Sequence, residues 1–172
     1  MYQQHSIEQT RVRVAEQLAS EPFSAVSSLC EQLEQSEAEV TLALPSEMVT
    51  EVAGEHAEAI LQQLPSWGKV TTIVHSGASI FEFKAPFPKG KLARGYYNLM
   101  GKEGELHGHL RLDLVTHIAL VSKPFMKMES HYMGFFDGSG HCVFKVYLGR
   151  DKQRKLFPEQ IALFQQLKQE LS

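Results

Sequence analysis

Two periodicities divide this chain. Through residue 66 the apolar positions recur every three or four residues, as on one helix face; from Trp67 onward they alternate, as along strands. Residues 6–19 carry Ile7, Val12, Val14 and Leu18 as a loose stripe. They stop at Glu21-Pro22, where proline disfavours a helical conformation in the residue before it. A second helix follows Ser24, with Val26, Leu29, Cys30 and Leu33 on one face. Ser36 stands at an N-cap with Glu39 three residues on, a capping box, and the third helix carries Val40, Leu42 and Leu44 towards Pro45. The spacing predicts a fourth helix over 46–64. Its stripe runs from Met48, Val49 and Val52 to Ile60, Leu61 and Leu64, broken by Gly54 and closed by Pro65.

The alternating half predicts strands over 68–75, 78–84, 93–100, 105–112 and 115–121. Residues 85–92 read as a loop stiffened by Pro86 and Pro88. Two more strands flank Phe136-Asp137-Gly138-Ser139-Gly140, a hairpin signal, because Asp and Gly tolerate the positive φ of tight turns. Before that turn Met133 and Phe135 face one way while Tyr132, Gly134 and Phe136 face the other. After it Cys142, Phe144, Val146 and Leu148 alternate with His141, Lys145 and Tyr147. A last helix runs over 158–171 with Pro158 in its first turn and Ile161, Phe164, Leu167 and Leu171 on one face. The expected class is α+β: N-terminal helices, a large antiparallel β-sheet system of at least seven strands, and a C-terminal helix. With 172 residues the chain fits one domain, helical over 1–66, mainly β over 67–150 and closed by a helix within 156–171.

Composition narrows the function. A net charge of −3 argues against a surface built to grip phosphate backbones. The helical hairpin before Pro45 invites a DNA-binding reading, but its second helix opens with Glu37 and Glu39 where phosphate contact wants Lys or Arg. No nucleic-acid partner is expected. Cys30 and Cys142 make no disulfide framework and read as reduced thiols. The N-terminus lacks the pattern of a signal peptide, and no apolar run approaches the ~20 residues of a membrane helix. A cytoplasmic protein with no membrane partner is expected.

No Gly-rich phosphate loop, Cys-pair metal knuckle or spaced Ser/His/Asp set is present. His107 and His109 share a strand face with Arg111 and could begin a zinc site, but no carboxylate or cysteine is spaced to complete one. Tyr96 and Tyr97 point to opposite faces, and the pattern does not choose between them. Tyr132 is a sharper candidate, because a phenolate is a hard ligand that favours ferric iron. Met126, Met128 and Met133 are soft ligands or adaptable packing. An apolar sheet with such side chains suits a large flat hydrophobic ligand.

Six motifs sharpen that reading: WGKVTTIVHSG at 67–77, GYYNLMGKEG at 95–104, HGHL at 107–110, SKPFMKMES at 122–130, FFDGSG at 135–140 and VFKVYLGRD at 143–151. In kind and order they resemble the cytosolic haem-utilisation carriers of the ChuX/HutX family. The resemblance spans Trp67 to the C-terminus and matches the N-terminal helices only loosely. It implies haem b as bound cargo, taken up after import and delivered to a haem-degrading enzyme, with no catalysis by this chain. The related two-repeat proteins hold two such units in one chain, so a homodimer is implied here. Tyr132 is implied as the ligand of the haem iron, with His75 or His109 as alternatives; both histidines belong to the implied pocket. Met126, Met128 and Met133 are implied as its apolar walls, and Lys89, Lys91, Arg94 and Lys102 as partners of the propionates. The rival reading is a haem-degrading oxygenase-like enzyme.

Overall fold

Ser6 and Ser36 open two helices by the same device. Each side chain accepts from the backbone amide three residues on, while Gln9 and Glu39 reach back to the cap backbone. The helices are α1 (Ile7–Ser20), α2 (Val26–Leu33) and α3 (Glu37–Leu42). The structure, a computed structural model, describes residues 6–172; residues 1–5, part of the segment read for a signal peptide, lie outside it.

The predicted fourth helix is corrected. Residues Val49–Ala53 form strand β1, Gly54–His56 one 3₁₀ turn, and only Ala57–Gln63 the helix α4, followed by a second 3₁₀ turn at Leu64–Trp67. The cause lies in a distant partner. Strand β7 (Val115–Ser122) presents an edge that β1 completes, Val52 opposite Ile118 and Ala53 opposite His117. Ladder hydrogen bonds to that edge outweigh the local helical spacing, as tertiary context does for weak propensities. Gly54 then turns the chain where no side chain fits: a Cβ there would lie 1.9 Å from the Val115 carbonyl oxygen.

Six strands form the main antiparallel sheet in the order β1-β7-β8-β9-β2-β3, with β2 at Lys69–Ser76, β3 at Ser79–Pro86, β8 at His131–Asp137 and β9 at Cys142–Leu148. A smaller sheet holds β4 (Gly90–Ala93), β5 (Tyr96–Leu99) and β6 (Gly108–Leu110). Strand β4 begins inside the stretch 85–92 expected to be loop, and β3 runs into it as far as Pro86.

The alternation along β8 is as expected, but both of its faces are buried. Met133 and Phe135 enter one core with Phe144, Val146, Phe164 and the inner face of the small sheet, Tyr97 and Leu99. Tyr132 and Phe136 enter a second core under α1–α3, with Val14, Leu29, Leu33 and Val40. Helix α5 (Pro158–Leu171) docks through Phe164 and Leu167. A buried glutamine ties it down: the Gln160 amide donates to the Trp67 and Lys69 carbonyls at 2.9 and 2.8 Å and accepts from the Gly149 amide at 2.7 Å. Such full pairing is what a buried amide requires. Among the described residues no helix is long and apolar enough to cross a membrane.

Candidate functional site

Several of the residues expected to share one pocket lie apart in this structure. Tyr132 is only 4% exposed, stacked on Tyr147 at 4.7 Å, and its hydroxyl and that of Thr41 have no hydrogen-bond partner among the described residues. Burial first, then Tyr147 and Glu37, pushes the Tyr132 phenol well above its usual range, so no phenolate is presented to a ligand in this arrangement. Met133, the next residue, points into the opposite core. Met126 and Met128 sit in a turn just before β8, whereas His75 lies near the end of β2, beside the start of β9. The seven residues of β8 separate these two ends by about 20 Å at ~3.3 Å per residue. In this arrangement these residues form no common wall: the alternation along β8 splits Tyr132 from Met133, and the strand length splits His75 from Met126 and Met128.

A cleft of about 1740 Å³ lies between α2–α3 and the β8–β9 turn, with His75, His117, His141, Cys30 and Cys142 on its walls. Glu31, Glu34, Glu37, Glu39 and Asp137 also line it, against the single guanidinium of Arg13. Burial, then the nearby Glu37, pushes both thiols up to about 12, so they are protonated at neutral pH. Glu37 forms an ion pair with Lys145 at the floor of this region. Among the described residues no group of three or more His, Cys, Asp or Glu is placed to hold a metal ion, so His107 and His109 gain no further ligand.

The outer face of the small sheet is different in kind. Tyr97 turns inward and is fully buried, while Tyr96 is 40% exposed and meets the His109 ring edge-on at a centroid distance of 5.9 Å. The Arg111 guanidinium stands 5.8 Å from the Tyr96 ring and forms a two-pronged ion pair with Asp113 at 2.8 and 2.6 Å. Asn98, directly opposite His109 in the ladder, selects the imidazole's tautomer. Its amide nitrogen donates to the carbonyls of Lys91, Ala93 and Tyr96 at 3.1–3.2 Å, which turns its oxygen towards His109. That oxygen lies 2.6 Å from His109 Nδ1. Nδ1 therefore carries a proton and donates, so in the neutral ring the lone pair lies on Nε2, the way metal-binding histidines are commonly oriented. Residues 84–111 carry six cations (Lys84, Lys89, Lys91, Arg94, Lys102 and Arg111) against two carboxylates, Glu103 and Glu105.

Sequence reasoning reached His109 but missed Asn98, and it left Tyr96 and Tyr97 unresolved. The available signal was parity: Tyr97 shares its face with Leu99, an apolar pair, and Tyr96 shares its face with Asn98.

Comparison with known proteins shows which family the chain belongs to. The family model described as "Haem utilisation ChuX/HutX" matches residues 50–167. The intracellular heme transport protein HutX of Vibrio cholerae serotype O1 is 54% identical over 165 residues, covering 96% of this chain and 86% of its own. A crystal structure of a protein from Erwinia carotovora superposes with a TM-score of 0.87 at 34% identity, covering 92% of this chain and 98% of that chain. The structure of the heme-binding protein ChuX gives 0.83 at 35% identity, covering 92% and 98%. The match takes in β1, α4, both sheets and most of α5, and the chain belongs to the ChuX/HutX family of haem utilisation.

Proposed function

We propose that this chain binds haem inside the cell and carries it to a haem-degrading enzyme. The observation that supports this most strongly is the 54% identity over 96% of the chain to a protein named for intracellular heme transport. The outer face of β4–β6 is the haem-binding surface in this reading. His109 offers Nε2 to the iron, Tyr96 offers an aromatic wall, and the cations of residues 84–111 balance the propionates. The five carboxylates of the acidic cleft oppose a ligand that carries two of its own. His75 remains an alternative ligand from the β2 tip. Tyr132 becomes one only if α1–α3 lift from the sheet.

A homodimer fits the same reading. Strand β3 is an edge of the main sheet, and its Ile80 and Phe81 are 61% and 63% exposed on opposite faces. A second copy that covers them removes an exposed apolar edge. A cytoplasmic location also fits, as do reduced, protonated thiols.

A carrier must hold haem and release it. Apolar burial with one axial ligand does both. A haemin titration tests the binding, and ascorbate under oxygen then separates carrier from enzyme. A Soret band that persists means a carrier; bleaching with iron release means an oxygenase-like enzyme.

A further inference from the structure

One end of the molecule is a convex apolar tip ringed with cations. At its centre Phe125 and Met128 exchange both backbone hydrogen bonds, at 2.9 and 3.0 Å, around a two-residue turn. The two turn residues, Met126 and Lys127, have φ of 48° and 62°, the pattern of a type I′ turn that normally selects Asn-Gly. Met126 is 77% exposed and Phe125 53%, and the Lys127 ammonium lies 6.0 Å from the ring of exposed Phe23. The turn keeps a strained backbone to hold an apolar side chain in solvent, a combination that stability alone does not select.

A second turn stands beside it. Arg150 donates to the Glu129 carbonyl, and Asp151 shapes the following loop by accepting from the Gln153 and Lys155 amides at 2.8 and 2.9 Å. Arg154 there also has a positive φ, 64°. Lys152, Arg154 and Lys155 are all exposed. At the far end of the sheet lies the cleft of five carboxylates, whereas Lys127, Lys152, Arg154 and Lys155 at the tip outnumber the nearby Glu21, Glu129 and Asp151.

We propose that this tip docks on an anionic lipid surface, with Phe125, Met126 and Phe23 entering the headgroup layer and Lys127, Lys152, Arg154 and Lys155 facing its charge. Protein partners favour broad surfaces of about 800 Å² on each side; a narrow apolar protrusion between cations fits an interface it can sink into. The acidic end points away from the lipid, so the field of the whole molecule orients the docking. The expected absence of a membrane partner rested on the lack of a spanning segment, and docking needs none.

The test is co-sedimentation of the intact protein with vesicles made of equal parts phosphatidylcholine and phosphatidylglycerol, and with phosphatidylcholine alone. The protein should bind the mixed vesicles only, and high salt should release it. Met126→Asn with Lys127→Gly should reduce binding while the melting temperature holds or rises, because Asn-Gly suits this turn. Lys152→Gln with Arg154→Gly should reduce it about fivefold for each cation removed. No binding to the mixed vesicles overturns the proposal, and so does binding that both double variants retain. Self-association through the tip, seen by light scattering as an oligomer that the first double variant dissolves, would assign it to a second copy and equally overturn it.

Discussion

Asn98 and His109 face one another across β5 and β6, and the 2.6 Å contact between Oδ1 and Nδ1 fixes which imidazole nitrogen is free. Three backbone carbonyls hold the asparagine amide in that orientation. The arrangement fixes the tautomer whose lone pair lies on Nε2, on the exposed face of the small sheet beside Tyr96 and Arg111.

Asn98→Ala should therefore weaken ferric haem binding about 10–100-fold, the usual effect of removing such a support. Added to His109→Ala, the same change should cost little more, because the residue it positions is already gone. Haem titrations of the two single variants and the double variant check this. Additive losses would show that Asn98 acts independently of His109.

Lys145, its side chain only 9% exposed, pairs with the half-buried Glu37. Glu37→Gln leaves a charge without a partner and should cost about 3 kcal/mol, measured by urea unfolding. Burial is the largest single influence on Lys145 and opposes its charge, but Glu37, Cys142 and Tyr147 together outweigh it and raise the lysine above its ordinary 10.5. A group raised on folding contributes stability that is fully present below its unfolded value. That contribution is lost as pH climbs through the folded value. Unfolding free energy should thus fall above pH 10.5 in the parent and fall less steeply in Glu37→Gln.

Cys30 and Cys142, pushed up to about 12 by burial and then by Glu37, should alkylate slowly with iodoacetamide at neutral pH and quickly in urea. Rapid native labelling, followed by mass spectrometry, would mean that α2 and α3 open readily.

Gly54→Ala should destabilise the chain by about 3 kcal/mol, the upper end of overpacking costs, because the new methyl would meet the Val115 carbonyl. A melting curve close to that of the parent would contradict the close approach of this turn to β7.

The sequence announced what is local. Ser36 and Glu39 share a capping box, Pro158 opens α5, and the parity of Tyr132 and Met133 assigns them to opposite faces; the structure has all three. It did not announce what depends on distant partners. Val49–Ala53 is a strand because β7 lies beside it, and helical spacing carries no trace of β7. Period two indicates which residues share a face but not what covers that face, so the burial of Tyr132 under α1–α3 was invisible. Asn98 and His109 are eleven residues apart, and only the ladder register makes them partners.

The most direct test of the haem-binding surface is the ferric haem spectrum of the parent, His109→Ala and Tyr132→Phe, titrated side by side with haemin. The parent should give a saturable Soret band, His109→Ala should lose or shift it and bind more weakly, and Tyr132→Phe should leave it unchanged. A spectrum abolished by Tyr132→Phe and untouched by His109→Ala would contradict the account, moving the iron beneath α1–α3.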